Sequence, residues 1–323
     1  MAQDIILGGK TYTSINKLTA HLADGSGLAE FTDPAIEDSL VTKTLTSYTN
    51  NRVTTIGDSA FTGCTSLTTV SFPEATTIGS GVFYSCYNLT TISFPKATTI
   101  NTNAFRECSS LTAVSFPEAT TIGGFALARC YNLTTISFPK TTTIGSYALT
   151  RCSNLTTVSF PKVTTIGSWA FEYCSNLTTI SFPKATTINI NAFGYCYSLT
   201  TASFPEATTI GNGAFYRCSN LTTVSFPKVT TIGSGVFSRC YSLTAVSFPE
   251  VTTIDSYAFR ECSSLQSIYL AHSSVCALSN SNAFSAAGIW SNKGSIFVPS
   301  SLVASYKAAT NWAFFSNRIF SMT

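Results

Sequence analysis

Apolar positions in this chain recur with a period of 22 residues. Isoleucine recurs from Ile56 to Ile254, cysteine from Cys64 to Cys262 and leucine from Leu67 to Leu265, each at ten positions 22 residues apart. Phenylalanine recurs from Phe72 to Phe248 with a proline after each, and one unit reads T-T-I-G-x-x-A-F-x-x-C-x-x-L-T-T-V-S-F-P-x-A. Within a unit, Leu67–Phe72 is β-branched and aromatic and alternates at its end. It predicts a short strand with Val70 and Phe72 on one side and Thr69 and Ser71 on the other. Pro73 stops it, because proline has no N–H for a ladder. Ala75–Ile78 predicts a second extended piece, Gly79 a turn, and Ala60-Phe61-x-x-Cys64 one helical or 3-10 turn with its apolar side inward.

Each coil thus offers Ile, Phe, Cys, Leu, Val and Phe to a common interior that only stacking can bury. Ten registers without an insertion, at a period of 20–29, predict a leucine-rich-repeat solenoid. It is β-strand-rich, with short helical or 3-10 turns, about ten 22-residue coils and terminal caps. A stack exposes apolar surface at both ends, so both need covering. Residues 1–50 read as an N-terminal cap with a degenerate first coil, 51–272 as the solenoid, and 273–323 as a degenerate coil with a C-terminal helical cap. In the first cap, Ile5–Tyr12 predicts a hairpin around a glycine turn, and Ser14 a capped helix with Ile15, Leu18 and Leu22 on one face. Leu45 and Tyr48 lie 22 residues before Leu67 and Val70. In the second cap, Ala283-Phe284 echoes the Ala-Phe pair three residues late. Ile296–Pro299 echoes Val-Ser-Phe-Pro, and Leu302–Asn311 predicts a helix. Trp312, Phe314, Phe315 and Phe320 supply apolar cover.

Composition narrows function more than it names one. Charged residues make up 10% and hydrophobic ones 44%, enough for a large core and too few charges for a disordered chain. A net charge of +3 without clustered Lys and Arg gives no nucleic-acid footprint. No apolar run reaches the roughly 18–20 residues that cross a bilayer, so no membrane insertion is expected. The start has no basic stretch followed by an apolar segment, so no signal peptide is visible.

The unit I-x-x-x-A-F-x-x-C-x-x-L-x-x-V-x-F-P resembles the bacterial surface leucine-rich-repeat family called BspA-like. The resemblance covers Val53 to about Leu270, and Ile296–Trp312 is similar to endings in that family. The uniform 22-residue period departs from a family period nearer 23, as does the missing export signal. Members are typically cell-surface or secreted proteins of bacteria and some protists, implicated in adhesion. The resemblance therefore implies a non-catalytic adhesion module for a protein or glycan partner, at the cell surface or secreted. It carries no catalytic residues. The alternative is an intracellular, non-exported structural or interaction scaffold, including a component of a phage-like particle.

Several rows invite chemistry. Parallel stacked cysteines keep their Cβ atoms near the coil spacing, beyond the ~3.5–4.5 Å of a disulfide, and a straight row cannot wrap a metal tetrahedrally. Buried free thiols are expected, with Cys276 outside the row, and no cofactor or metal. The residue after proline runs Glu74, Lys96, Glu118, Lys140, Lys162, Lys184, Glu206, Lys228, Glu250, which predicts a charge ladder. Lys140, Lys162 and Lys184 break its alternation as a candidate basic patch. Threonine and serine rows around Thr69 and Ser71 are expected to pave the strand face, where hydroxyls could meet ice or a glycan. Asn-Leu-Thr sequons recur at Asn88, Asn132, Asn154, Asn176 and Asn220 because the unit recurs.

The two positions before cysteine vary most between coils. They hold Tyr84, Arg106, Arg129, Arg151, Tyr173, Tyr195, Tyr216, Arg217, Arg239 and Arg260, and Phe125, Tyr147, Trp169 and Tyr257 vary just after the glycine turn. Tyr, Trp and Arg are enriched at interface hot spots. Arg106, Arg129, Arg151, Tyr173, Tyr195, Tyr216, Arg217 and Arg239 are therefore the candidate binding face. His21 and His272 lie near opposite ends, and no nucleophile-elbow, metalloprotease or phosphate-loop motif occurs, so no enzyme is expected. Open strand edges leave an edge-to-edge homodimer open.

Overall fold

A computed structural model of the chain describes residues 45–322 except position 292, together with the strands Ile5–Leu7, Lys10–Tyr12, Ala20–Leu22 and Leu28–Ala29. The chain divides into two compact units, Met1–Phe160 and Pro161–Thr323. Each is a parallel β-solenoid with coils of about 22 residues and little helix.

In the N-terminal unit, the first strand row contains Ser47–Thr49, Thr69–Ser71 and Thr91–Ser93, and further along Ala113–Ser115 and Thr135–Ser137. Partners stand one repeat apart, as Tyr48 with Val70 and Val70 with Ile92. The expected alternation holds, with Val70 and Phe72 buried and Thr69 exposed. A second row joins Val53–Ile56, Thr77–Ile78, Thr99–Ile100, Thr121–Ile122 and Thr143–Ile144 in parallel. Ala20–Leu22 pairs antiparallel with Val53–Ile56 and closes that row's edge, and Ile5–Leu7 pairs with Lys10–Tyr12 as the expected hairpin. Leu22 therefore lies in a strand rather than on the expected helix face. The sheet edge needs a hydrogen-bonding partner, and that demand outweighs local helix spacing. Ser14, Ile15 and Leu18 lie outside the described residues.

The C-terminal unit repeats both rows: Thr179–Ser181, Thr201–Ser203 and Thr223–Ser225 in the first, Thr165–Ile166, Thr187–Ile188 and Thr209–Ile210 in the second. Its first row runs on from Ala245–Phe248 through Ser267–Leu270 and Ser295–Val298 to Ile319–Ser321. The insertion before Phe284 is absorbed in a loop, for that ring still stacks on Phe259 at 5.5 Å. The expected helix is Val303–Ala308, entered through a 3-10 turn at Ser300–Leu302. Trp312 and Phe315 are buried as cover, whereas Phe314 and Phe320 are 62% and 45% exposed. Phe314 lies instead against Trp290 at 4.7 Å, and Phe320 near Phe297 at 6.3 Å. Buried Cys276 anchors this end: its N–H donates to Tyr306 Oη at 2.9 Å, and Trp312 Nε1 donates to its carbonyl at 2.6 Å.

The interior is two phenylalanine columns beside the cysteine row. Phe72, Phe94 and Phe116 stack at 5.6 and 6.0 Å, and Phe61, Phe83 and Phe105 at 5.2 Å. Every cysteine is a free, buried thiol. Within the row the Sγ donates to a carbonyl 25 residues back, as Cys86 to Phe61 O at 3.1 Å and Cys218 to Phe193 O at 3.1 Å, whereas Cys276 outside the row donates to Ala277 O at 3.6 Å. A small side chain that packs as a hydrophobe and still satisfies a buried carbonyl explains why cysteine fills the row. Desolvation pushes the Cys152 thiol up to about 12.

The third side of each coil refines the expected helical turn. Ala60, Thr62 and Cys64 donate their N–H groups three residues back, to Gly57, Ser59 and Phe61. Ser59, Phe61 and Gly63 between them donate instead to the next coil, at Ser80, Val82 and Tyr84. Successive N–H groups thus alternate between a turn bond and an inter-coil bond. Two reversals per coil into the left-handed region make this alternation, at Ser59 (φ 59°) and Gly63 (φ 67°) and their equivalents. They also stop the turn from propagating as a helix.

Candidate binding face

The two left-handed positions define the face. The first row runs Ser59, Gly81, Asn103, Phe125, Tyr147 in the N-terminal unit and Trp169, Asn191, Gly213, Gly235, Tyr257 in the C-terminal unit. The second runs Gly63, Ser85, Glu107, Arg129, Arg151 and then Tyr173, Tyr195, Arg217, Arg239, Glu261. Glycine adopts this conformation freely and asparagine is enriched there, whereas an ordinary L-residue costs about 1–2 kcal/mol. Large aromatics and arginines thus stand where the backbone favours glycine.

In the N-terminal unit, Arg106 lies over the rings of Tyr84 and Phe125 at 5.5 and 5.1 Å. Arg129 pairs with Glu107 at 2.7 Å, and Ser85 Oγ donates to the same carboxylate at 3.0 Å. Arg151 is exposed. In the C-terminal unit the expected residues form one array. Tyr173 and Tyr195 stack at 4.3 Å, Tyr216 meets Tyr195 edge-on at 5.3 Å, and Arg217 covers Tyr195 and Tyr216 at 5.6 and 5.7 Å. Arg217 Nε is buried without a hydrogen-bond partner, so aromatic faces hold that atom. Arg239 lies 6.0 Å from the Tyr216 ring and 3.1 Å from Glu261, which also holds Arg260 at 3.1 Å. Partial burial, then the neighbouring Tyr173, push the Tyr195 hydroxyl up; hydrogen bonding to Tyr216 pushes Arg217 up. Glu107 and Glu261 are not marked by residue type, since neither is an aromatic or a cation. Their signal is register, since they occupy the same row as the arginines they bind.

A second missed feature is a notch in the first row. Where the row is small, the surface opens. Asn191, Gly213 and Gly235 floor a groove of about 400 Å³ in the C-terminal unit, walled by Tyr195, Tyr216 and Tyr257. Ser59, Gly81 and Asn103 floor a groove of about 330 Å³ in the N-terminal unit beside Tyr84 and Arg106. The two correspond six repeats apart, Gly81 matching Gly213, Tyr84 matching Tyr216 and Phe125 matching Tyr257. With its amide turned to satisfy both neighbours, Asn191 donates to Gly213 O at 3.1 Å and accepts from Trp169 Nε1 at 3.2 Å. That braces one wall.

Two other threonine rows and part of the charge ladder bond within the fold, while Thr69 on the strand face is exposed. Thr68 and Thr90 Oγ1 donate to carbonyls one coil back at 2.9 and 3.0 Å, and the Thr76 and Thr98 hydroxyls do so at 3.2 Å. In the charge ladder three lysines each pair with the glutamate one repeat earlier: Lys96 with Glu74 (2.6 Å), Lys140 with Glu118 (2.7 Å) and Lys228 with Glu206 (2.6 Å). Of the candidate basic patch, Lys140 is thus paired; Lys162 and Lys184 are exposed in the C-terminal unit. Among the described residues no cluster of His, Cys, Asp and Glu could hold a metal ion, and no helix is long and apolar enough to cross a membrane.

The sequence matches the model for BspA type leucine rich repeat regions, six copies, over residues 39–155, 76–200 and 186–302. No curated protein matches it. Among solved structures it is similar to a leucine rich cell surface protein from Faecalibacterium prausnitzii, with 25% identity over 84% of this chain and 82% of that one and a TM-score of 0.46. It is also similar to leucine-rich repeat proteins from Eubacterium ventriosum and Bacteroides ovatus. The first has 21% identity over 85% of this chain and 89% of that one and a TM-score of 0.47; the second has 20% identity over 100% and 99% and a TM-score of 0.38. Leucine-rich repeat proteins are commonly protein-binding scaffolds and typically non-catalytic. The 22-residue unit, its parallel ladders and the matched residues together place this chain in the BspA-type leucine-rich-repeat family.

Proposed function

We infer that the chain is a non-catalytic recognition module that binds a protein or glycan partner through its left-handed turn face. In the C-terminal unit the binding residues are Tyr173, Tyr195, Tyr216, Arg217 and Arg239; in the N-terminal unit they are Arg106, Arg129 and Arg151. The observation that carries this reading is the occupancy of the second row. Tyr173, Tyr195, Arg217 and Arg239 all stand at φ between 59° and 65°, where glycine would be relaxed. Strain held in one row of surface residues points to a use for those side chains outside the fold. Tyrosine and arginine are also the side chains that anchor interfaces. A cell-surface site of action is supported by family membership and by the name of the Faecalibacterium relative.

The test is a variant carrying Tyr173→Gly, Tyr195→Gly, Arg217→Gly and Arg239→Gly. Native protein and variant are passed over immobilised extracellular-matrix proteins and glycans in a surface-binding assay. Saturable binding by the native protein, weakened about tenfold or more in a variant that still melts cooperatively, is the expected result. Equal binding by the two removes this face from consideration.

A further inference from the structure

We propose that the notch between Trp169 and Tyr257, and its counterpart beside Tyr84, are subsites for a neutral, hydroxyl-rich sugar chain. This rests on the turn face being the binding face and adds the chemical class of ligand that part of the face takes.

Four features of the notch lead there. Three aromatic side chains line it, Tyr195, Tyr216 and Tyr257, whose exposed ring carbons can meet the C–H groups of a pyranose; beside them stand hydroxyl and amide groups at Ser234, Ser238 and Asn191. That mixture suits a ligand with both an apolar face and a rim of hydroxyls. In the C-terminal notch the charges of the lining cancel, with one carboxylate at Glu172 and one guanidinium at Arg260, which is already held by Glu261 at 3.1 Å; in its counterpart the guanidinium of Arg106 lies 3.8 Å from the Glu107 carboxylate. An acidic ligand would meet no unbalanced cation. The groove floor is built from three successive coils, at Asn191, Gly213 and Gly235, and coils repeat about every 4.7–4.9 Å. That step is close to the length of one sugar unit in an extended chain. An extended peptide presents side chains to one face only about every 6.7 Å. Finally, the pattern recurs: Gly81 and Tyr84, which line the N-terminal notch, stand six repeats before Gly213 and Tyr216, and each notch has one arginine in its lining, Arg106 and Arg260.

The notches exist because glycine interrupts a row that elsewhere carries aromatics, so they can be filled without leaving the fold's own repertoire. Gly81 and Gly235 have φ of 60° and 63°, and tyrosine occupies the equivalent position at Tyr147 and Tyr257 with φ of 59° and 61°. A Cβ at Gly235 would meet nothing nearer than Ser238 Cβ at 3.9 Å, and one at Gly81 nothing nearer than Ser59 Oγ at 3.6 Å.

The experiment uses the full chain on an array of neutral β-glucans, xylans, mannans and galactans, with sialylated and sulfated chains and Asp/Glu-rich peptides alongside. Three proteins are compared: native, the notch-filled Gly81→Tyr/Gly235→Tyr variant, and Arg129→Gly/Arg239→Gly, which alters the second row outside the notches. Thermal melts confirm folding, and Gly235→Asn, a smaller filler that suits the same conformation, replaces the tyrosine variant if that one fails to fold. The expected result is native binding to at least one neutral chain, little changed by salt, about tenfold or more weaker on filling, and weakened less than that in the arginine variant. Filling one notch alone should halve the number of sites per chain. The proposal is overturned if no neutral chain binds, or if binding survives filling of both notches. Should acidic chains or peptides bind instead and be lost in the arginine variant, the turn face stands and the sugar assignment falls. Should neither variant change the binding of any probe, both readings fall together.

Discussion

Two adjacent positions of the repeat behave oppositely. Cysteine stands at ten successive registers from Cys64 to Cys262, always buried and always a free thiol. One residue earlier the chain reads Gly63, Ser85, Glu107, Arg129, Arg151, Tyr173, Tyr195, Arg217, Arg239 and Glu261. Both positions have nearly the same backbone environment from coil to coil. At the cysteine, each coil must place a small apolar group that still donates to a carbonyl of the coil before. At the preceding residue the backbone is left-handed and would be satisfied by glycine throughout, yet only Gly63 supplies it. Invariance inside is what stacking requires; variety beside it is not required by stacking at all.

The sharpest way to stress the inner position is with base. Burial raises the Cys152 thiol to about 12 from its ordinary value of 9.0, and likewise raises its neighbours Cys108 and Cys130, whose burial is compounded by adjacent thiols. A folded-state pKa above the unfolded one means that the contribution to stability is complete below pH 9 and declines as pH rises toward the folded value. Each such thiol should cost about 1.4 kcal/mol per pH unit in that window. Several act together, against a total stability of typically about 5–15 kcal/mol. Denaturant melts between pH 7 and 11 should therefore show stability flat to about pH 9 and cooperative unfolding by pH 11. A flat profile to pH 11 would mean that the thiols are not desolvated as the stack requires.

The phenylalanine column tests the interior by volume instead. Phe160 is 1% exposed and stacks on Phe138 at 5.7 Å. Phe160→Ala removes a ring from a column that cannot collapse without shifting its ladder, and should cost about 3–5 kcal/mol. The urea midpoint would show it. A cost below about 1 kcal/mol would contradict the inward register of the first strand row.

Interior positions were readable from sequence for a physical reason. Period and strand alternation are written in side-chain chemistry, so Ile78, Cys86, Leu89 and Phe94 announce the buried side without coordinates. The left-handed rows are written in the backbone. Gly81 and Asn103 hint at them, but Arg129, Tyr173 and Trp169 do not, because those side chains carry no preference for positive φ. Varied tyrosines and arginines could therefore be selected as a face, while their shared strain, the carboxylates Glu107 and Glu261 among them, and the notch at Gly213 could not. The ends were harder still. There, one edge needing a partner overrode the helix spacing at Leu22, and Phe314 and Phe320, exposed, meet the rings of Trp290 and Phe297.

The smallest predicted effect separates the two positions most cleanly. Arg217→Gly releases a residue at φ 59°, a gain of about 1–2 kcal/mol. Against it stand the loss of two cation–π contacts, about 0.5–1 kcal/mol each at exposed sites, and the extra freedom glycine has in the unfolded chain, about 0.5–1 kcal/mol. These nearly cancel, so the midpoint of thermal unfolding should move by no more than the equivalent of about 1 kcal/mol. Cys218→Gly, one residue on, should by contrast leave the Phe193 carbonyl unpaired beside a void and cost several-fold more. If Arg217→Gly destabilised as strongly as its neighbour, Arg217 would be a structural member of the coil, and the turn face would lose its strongest claim to be kept for a partner.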